Sequence, residues 1–428
     1  MKILAYFTLF LLFSVSAQAQ ICARVSIDGA GPQKLARAKT LPGLQWWVEM
    51  GDTLLVYGDQ KCLDQMGDLL AIQSVETGVN TDRLAFVSLP LHAGRYRIIA
   101  RGSRFAVIEE LGVSAYEPDM HHHGHFHFGL RMPFKPNTVL TCNLSNRQGQ
   151  PVRAKKANIE AMLADINPTR WYFDVFDLQC KDRFTFAPGI EDARDFLMES
   201  FSKMGLTPMT GLFNLNNVTP ENVYAVIEGT ERPDEYYVVG AHYDSIANRD
   251  SGAFAPGAED NASGTAAVLE MARVFSAHPP PATIIFICFS GEEQGLFGSE
   301  FHVTQLIDQN INDKVRGVLN MDMIGYTAGG FDVLLESSSQ FSGLIDTFVQ
   351  AAATYTTLQV VTSFNPFGSD HVPYLQADIP ALLVIEDDWN RYPGYHKTID
   401  TIDLIGTRMG HEVLRMNVAA LAEMMENP

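Results

Sequence analysis

Five histidine, aspartate and glutamate side chains stand out as candidate metal ligands because of their places along the chain. Four of them end or follow apolar segments typical of buried strands, and the fifth lies in a turn-rich loop that opens a helix; they are His242, Glu293, Asp322, His396 and Asp260. Each alone is weak evidence, since an aspartate in such a loop is often only a helix cap. Together, at successive strand ends, they predict a metal site.

The chemistry of this set fits two zinc ions. Imidazole nitrogen and carboxylate oxygen both suit Zn²⁺, and three carboxylates with a bridging hydroxide offset the four positive charges. Asp322 lies inside an apolar segment, where a carboxylate is costly to bury unless it is paired or bound to metal. Two such metals polarise a carbonyl and generate hydroxide at neutral pH. Glu292, adjacent to a ligand, is placed to carry the proton from water to a leaving amine.

The elements that position these groups alternate between strand and helix. Near-continuous apolar runs predict strands at 236–241, 283–289, 315–321, 333–335 and 381–385. Helical periodicity covers 154–166, 190–204, 265–277, 297–309, 341–355 and 411–425. Apolar strands separated by helices predict an α/β fold, with a mixed, mostly parallel sheet covered on both faces. In such a sheet, bound molecules lie beyond the carboxyl ends of the strands. The side chains that are candidate metal ligands fall at those ends.

The first 150 residues differ in style from the rest. Short β-type runs at 53–57, 84–89, 96–100 and 105–109 are broken by Gly, Asp and Pro, so we expect a small β-rich accessory domain or pro-domain at 20–150 before a catalytic domain at 151–428. The segment His121–His127 is rich in histidine. It is either an exposed loop running into a strand or an accessory site that scavenges zinc or copper.

The chain begins with a pattern typical of export. Lys2, an apolar run from Ile3 to Val15 and the sequence Ala17-Gln18-Ala19 predict a cleaved signal peptide at 1–19. The run is too short to span a membrane comfortably, so we expect a secreted or periplasmic protein without a membrane anchor after cleavage. The formal net charge of −19 on 428 residues argues against a nucleic-acid partner.

Export would permit disulfide bonds between four of the five cysteines. Sequence order favours Cys22–Cys62 and Cys142–Cys180, while Cys288 lies in an apolar run typical of a buried thiol.

Six ordered motifs resemble the co-catalytic zinc exopeptidases, a family that includes bacterial leucyl aminopeptidases, glutamate carboxypeptidases and glutaminyl cyclases. The resemblance covers roughly 155–424 and is carried by His242-Tyr-Asp-Ser245, Gly257-Ala-Glu-Asp-Asn-Ala-Ser-Gly264, Phe289-Ser-Gly-Glu-Glu293, Asn320-Met-Asp-Met-Ile-Gly325, Ser369-Asp-His371 and Tyr395-His396. It implies a three-layer catalytic domain and two zinc ions, with Asp260 on both.

The resemblance also assigns the remaining roles. His242 and Asp322 would complete one metal site, Glu293 and His396 the other, and Glu292 would be the general acid/base. Asp244 would orient the imidazole of His242. Asp370 and Asp400 would contact the ligand residues without binding the metals themselves.

One departure concerns the oxyanion that develops during hydrolysis. Some aminopeptidases of the family carry a tyrosine just before the Ser-Asp-His motif, and this chain has Asn365-Pro-Phe-Gly368 there. The metals, or Tyr326, Tyr374 or Tyr395, are the alternatives.

The predicted function is an aminopeptidase that cleaves the N-terminal peptide bond of peptides or proteins. A carboxypeptidase or dipeptidase of the same fold would need a cation for the substrate carboxylate, for which Arg249, Arg391 and Lys397 are available. An aminopeptidase needs anions or carbonyls for the free amine, which the acidic run Glu386–Asp388 could supply. A glutaminyl cyclase, with one zinc, is a further alternative.

Overall fold

The computed structural model describes residues 20–89, 91, 95–111, 131–144, 153–248 and 253–426. The predicted signal peptide and the histidine-rich segment at 121–127 lie outside the described residues.

The described chain contains ten α-helices and seventeen strands. The strands are β1 Ile21–Ser26, β2 Leu44–Gly51, β3 Thr53–Gly58, β4 Ala71–Glu76, β5 Leu84–Ser88, β6 Tyr96–Arg101, β7 Phe105–Glu110, β8 Arg131–Pro133, β9 Thr138–Asn143, β10 Met209–Leu212, β11 Glu221–Ile227, β12 Arg232–His242, β13 Ala282–Phe289, β14 Val315–Met321, β15 Asp332–Glu336, β16 Gln359–Ser363 and β17 Ala381–Glu386. The helices are α1 Pro32–Ala38, α2 Gln60–Leu69, α3 Ala157–Asp165, α4 Pro168–Gln179, α5 Gly189–Lys203, α6 Gly264–Ala277, α7 Phe297–Asp308, α8 Ser342–Tyr355, α9 His371–Gln376 and α10 Thr407–Glu426.

Four parallel strands form the centre of a large mixed sheet. They stand in the order β13-β12-β14-β17, and all eight residues of β13 are buried. Helices α3, α4, α5, α6, α8 and α10 pack on one face through the largest apolar cluster, and α7 and α9 pack on the other. Burial on both faces explains why these strands are apolar throughout. The predicted α/β class with a mostly parallel sheet, and the three-layer arrangement, are confirmed.

The N-terminal strands continue this sheet. β9 pairs with β16, and β2, β3, β1 and β4 extend the sheet beyond it, which gives thirteen strands in all. A second, antiparallel sheet of four strands, β6-β7-β5-β8, packs against residues of β15, β16 and β17. Whether residues 20–150 are a separable domain stays a prediction, but in the structure they share a sheet and a core with the rest.

All five cysteines lie in the described part of the chain and none is in a disulfide bond, so the two bonds favoured by sequence order are not formed. For Cys22 and Cys62 the reason is the alternation of side chains along β1. Cys22 faces the cluster around Trp46, whereas Ala23 faces the cluster that holds α2, the helix of Cys62. The two thiols therefore lie on opposite faces of the sheet. Cys142 is buried in β9 and Cys180 is exposed after α4.

Helix α4 is the longest element of the catalytic part that the sequence patterns do not predict. It begins at Pro168, and the side chain of Asn167 caps it by accepting from the backbone N–H of Thr169 and Arg170. Phe173 and Phe176 are exposed on its outer face, at 62% and 46%. Aromatic residues on both faces hide the helical period.

Among the described residues, no helix is both long and apolar enough to cross a membrane.

Candidate metal centre

Three potential ligand atoms converge at the carboxyl ends of β12 and β14. His242 is the last residue of β12, Asp322 directly follows β14, and Asp260 lies in the buried segment Ala258–Ser263, which leads into α6 and is kinked at Asp260, whose backbone is not helical. The Nε2 atom of His242 is 3.4 Å from Asp260 Oδ1 and 3.6 Å from Asp322 Oδ1. All three residues are buried, at 1%, 5% and 6% exposure.

A second set of three shares Asp260 with the first. The Nε2 atom of His396, in the loop after β17, is 3.0 Å from Asp260 Oδ2 and 3.2 Å from Glu293 Oε2. Glu293 follows β13. The ligand atoms of each set lie within 4.8 Å of one another. The structure thus brings together all five sequence-predicted ligands, in two adjacent sets with Asp260 between them.

Both sets fit a zinc ion on three observations. Ligand atoms about 2.0–2.2 Å from a tetrahedral zinc lie about 3.3–3.6 Å apart, close to the separations seen here. The Oδ1 atom of Asp322 and the Oε1 atom of Glu293 are buried and have no hydrogen-bond partner among the described residues. Such orphaned carboxylate oxygens are costly unless a cation or a donor satisfies them. Finally, imidazole and carboxylate are the donor set that zinc accepts.

The charges around the two histidines also indicate a need for cations. Burial disfavours a charged imidazole, yet the surrounding carboxylates, Glu292 foremost, raise the pKa of His242 well above its ordinary value. In the same way Glu293 and Asp260 outweigh burial and raise the pKa of His396 to about 10. The carboxylates therefore exceed the positive charge that the protein itself provides.

Glu292 belongs to neither of these two sets, although its carboxylate also lies within 4.8 Å of potential ligand atoms of His242 and Glu293. Its Oε2 atom is 3.9 Å from His242 Nε2, farther than either ligand carboxylate of the first set. Burial, followed by the neighbouring carboxylates, raises the pKa of Glu292 well above its ordinary value. A carboxyl group of this kind can hold a proton near neutral pH, as a general acid/base requires.

Two of the three further predicted residues, Asp244 and Asp400, hold the loops that carry the candidate ligands. Asp244 accepts the backbone N–H groups of Glu292 and Glu293, at 3.3 and 3.2 Å, while Nδ1 of His242 is 3.1 Å from the Asp244 carbonyl oxygen and 3.6 Å from its Oδ1. Asp400 accepts the N–H groups of Glu259 and Asp260. Both residues thereby fix backbone that carries ligands.

Asp370 is fully buried at the start of α9, and burial raises its pKa to about 7. The contact to a ligand comes from its neighbour Ser369, whose hydroxyl donates to Asp322 Oδ2 at 2.7 Å. The roles proposed for all these residues stay predictions.

Two buried arginines were missed by the sequence patterns. Arg183 donates to four backbone carbonyl oxygens, two of them in the loop before Asp260, at Pro256 and Gly257. It thus anchors that loop. Arg104, in the turn between β6 and β7, reaches the cavity of the metal centre. Neither arginine lies in a motif, so only the fold reveals them.

A narrow cavity lies next to the candidate ligands. Its walls come from both parts of the chain and comprise Arg104, Met323, Gly368, Ile385, Trp389 and Tyr395, in addition to the predicted ligands and Glu292. Of the three tyrosines considered for the oxyanion, Tyr395 lines this cavity, whereas Tyr374 is fully buried against His302 and Tyr326 packs on Tyr392.

The described side chains that were predicted to bind the substrate termini do not line this cavity. Glu386 is fully buried, and Asp388 accepts the N–H of Ala328 and pairs with Arg391. Lys397 is exposed and donates to the carbonyl of Pro393. Arg249 lies outside the described residues.

The fold and site together are those of a zinc-exopeptidase-type domain, and comparison with known proteins agrees. Residues 222–421, a little under half of the chain, match the model of peptidase family M28. The resemblance predicted from the motifs is thus confirmed.

Two curated relatives illustrate the match. A probable zinc metalloprotease of Pyrenophora tritici-repentis is 31% identical over 259 residues, which cover 49% of this chain and 53% of that protein. The aminopeptidase YwaD of Bacillus subtilis is 30% identical over 213 residues, which cover 48% of this chain and 45% of YwaD. The chain therefore spans about half the length of these relatives.

Solved structures share the fold at low sequence identity. LapB from Legionella pneumophila matches with a TM-score of 0.57 and 19% identity, over 81% of this chain and all of that one. A glutaminyl cyclase from an Acidobacteriales bacterium matches with a TM-score of 0.52 and 18% identity, over 66% of this chain and all of that one. These likenesses concern the fold alone.

Proposed function

We propose that the protein is a zinc-dependent aminopeptidase that hydrolyses the N-terminal peptide bond of peptides or proteins. The observation that carries the proposal is the pair of ligand sets that share Asp260, with Glu292 beside them. The M28 match and the names of the zinc metalloprotease and aminopeptidase relatives support it.

Two zinc ions would be held by the residues already described. His242 and Asp322 would hold one, Glu293 and His396 the other, and Asp260, whose two oxygens face different histidines, would help to hold both. Zinc bound in this way polarises a substrate carbonyl and activates water at neutral pH.

The protein's own groups would manage the protons. Glu292 would accept a proton from the attacking water and deliver it to the leaving amine, for which its position beside both sets suits it. Asp244 would keep Glu292 and Glu293 in place through their backbone N–H groups. The apolar walls at Met323, Ile385 and Trp389 would exclude water and accept an apolar first residue.

Metal analysis and a substrate pair test the proposal. Purified protein is expected to contain close to two zinc ions per chain and to lose activity to chelators. It is expected to cleave peptides with a free amino terminus and an apolar first residue, but not their N-acetylated forms. Trimming of N-acetylated peptides from the carboxyl end would refute the aminopeptidase assignment.

A second candidate is a carboxypeptidase or dipeptidase of the same fold. It is favoured by the presence of a cation, Arg104, in the cavity wall. The glutaminyl cyclase alternative has no such support and requires a single zinc; one tightly held metal with full activity would favour it.

We also propose that the protein acts outside the cytoplasm, in secreted or periplasmic form, after removal of residues 1–19. Amino-terminal sequencing of exported protein is expected to begin near Gln20. Recovery of the whole chain in the cytoplasm would contradict this.

A further inference from the structure

Arg104 is a buried cation that the N-terminal part of the chain inserts into the wall of the metal cavity. It is 3% exposed and lies in the turn between β6 and β7 of the smaller sheet. The cavity it lines also contains all five predicted zinc ligands and Glu292. The proposed mechanism assigns Arg104 no part.

The guanidinium group is held on three sides. Its Nε and Nη2 atoms donate to the two carboxylate oxygens of Glu336, at 3.1 and 2.6 Å, and Nη2 also donates to the carbonyl of Phe367 at 2.7 Å. The face of the group lies 3.8 Å from the ring centre of Phe367. These contacts fix the plane of the guanidinium and leave little freedom of rotation.

One edge of the group is left over. The Nη1 atom makes no hydrogen bond to any described residue, although a guanidinium carries five N–H donors. Since Glu336 balances its charge, Arg104 is not needed to neutralise the ligand carboxylates. The Nη1 group of Arg104 is therefore a fixed hydrogen-bond donor at the wall of a cavity that would otherwise hold cations and carboxylates. Such a donor is suited to bind an oxygen atom of the substrate.

We propose that Arg104 is a substrate-binding residue that donates a hydrogen bond through Nη1 to a negatively charged oxygen of the bound peptide. Two sources supply such an oxygen: the scissile carbonyl as it becomes tetrahedral, and a free terminal carboxylate. Donors that are fixed in advance act most strongly on developing charge. The inference rests on the proposed peptidase function and gives the N-terminal part of the chain a role in it.

The test compares matched variants of the full-length, zinc-loaded protein. R104A/E336Q removes the guanidinium and the carboxylate together, so neither buried charge is left alone. R131M is the control, because Arg131 forms a similar pair with Glu110 in the same small sheet but does not line the cavity. Circular dichroism and zinc analysis establish that each variant is folded and loaded. Where R104A/E336Q does not fold, R104K, which keeps a charge opposite Glu336 but loses the planar fork, replaces it.

The readouts are kinetics and binding. Kinetics use leucylglycine and leucylglycinamide, which share the scissile bond and differ in the terminal carboxylate. Binding of a phosphinate analogue of leucylglycine is measured by calorimetry, so that the inference is tested even if turnover is absent. We expect R104A/E336Q to bind the phosphinate at least tenfold more weakly than R131M.

The kinetic arms identify the source of the oxygen. A fall in kcat of about 10²-fold on both dipeptides, with little change in KM, identifies the scissile carbonyl. A rise in KM on leucylglycine alone identifies the terminal carboxylate. Binding and kcat/KM within twofold of R131M for both substrates would overturn the proposal. If the unaltered protein cleaves neither dipeptide, the proposed function fails, while the phosphinate result still decides the role of Arg104.

Discussion

Two buried groups of charges face the same cavity, and they differ in how they are balanced. Arg104 and Glu336 form a bidentate pair. Burial alone would raise the pKa of Glu336, but its cationic and hydrogen-bonding neighbours, Arg104 foremost, outweigh burial and lower this pKa to about 2. The ligand carboxylates instead face two imidazoles and leave oxygens without partners among the described residues. The first group is complete within the protein, whereas the second is complete only with added cations. The two groups thus differ in charge balance: the charges of Arg104 and Glu336 neutralise each other within the protein, whereas the carboxylates of the metal centre need added cations.

The largest effect on the balanced pair is expected when the part of the chain that supplies Arg104 is removed. A protein that begins at residue 153 would lose β9, the partner of β16, and would leave Glu336 buried without its cation. We expect no stable monomer, as judged by circular dichroism and size-exclusion chromatography. A monomeric fragment that unfolds cooperatively and binds two zinc ions would instead establish residues 20–150 as a separable domain.

Within the metal centre, Glu292 and Glu293 are adjacent in sequence but are expected to have different roles. Glu293→Gln weakens a ligand, so zinc content should fall together with activity. Glu292→Gln leaves the ligands intact but removes the proton carrier, so kcat should fall about 10²–10⁴-fold at unchanged zinc content. Zinc analysis and steady-state kinetics on both variants check this. Loss of zinc from Glu292→Gln with both metals retained in Glu293→Gln would reverse the assignment.

The balanced pair is tested by its stability. Arg104→Met leaves Glu336 buried and unpaired, which is expected to lower the free energy of unfolding by about 3–5 kcal/mol. The double variant R104M/E336Q removes both charges and keeps an acceptor for the N–H of Phe367, so most of that loss should be recovered. Urea unfolding of the two variants and the unaltered protein measures the difference. Equal losses in both would show that packing of the arginine, rather than its charge, is what matters.

The smallest effect is expected for the exposed counterpart of that pair. The hydrogen bond from Arg131 lowers the pKa of Glu110 below its ordinary value of 4.5. Any stabilisation is therefore present above that value and is lost as the pH falls through the lowered pKa of the folded protein. Arg131→Met should cost about 0–1 kcal/mol at neutral pH, because both side chains contact solvent. Urea unfolding at pH 7 and at successively lower pH should show this small difference diminish.

Sequence patterns predict the centre of the fold well, because the relevant signals are local. The strand of residues 283–289 is predicted to within one residue at its start, since every position of β13 is buried and apolar. Once the strands are known, the carboxyl ends bring His242, Glu293 and Asp322 together without further information. These three candidate ligands can therefore be brought together from sequence even without the resemblance.

What the sequence does not reveal depends on pairing between distant segments. Nothing local indicates that β9 lies beside β16, that Cys22 and Cys62 face opposite sides of a sheet, or that Arg104 reaches the cavity. The same holds for Arg183, whose partners are backbone carbonyls that carry no sequence signature. Register and sheet order are set by tertiary packing, which residue types alone do not record.

The pairing of Arg104 with Glu336 also has a consequence for biosynthesis. The two residues are 232 positions apart, so at ordinary rates of translation the partner of Arg104 is made on the order of ten to fifty seconds later. During that interval the guanidinium must stay hydrated, which opposes closure of the small sheet over it. Because such distant contacts form late, the N-terminal half should stay incompletely folded until the C-terminal half has been synthesised. A chain that folds only after its C-terminal half has been synthesised would stay unfolded long enough to be translocated across a membrane.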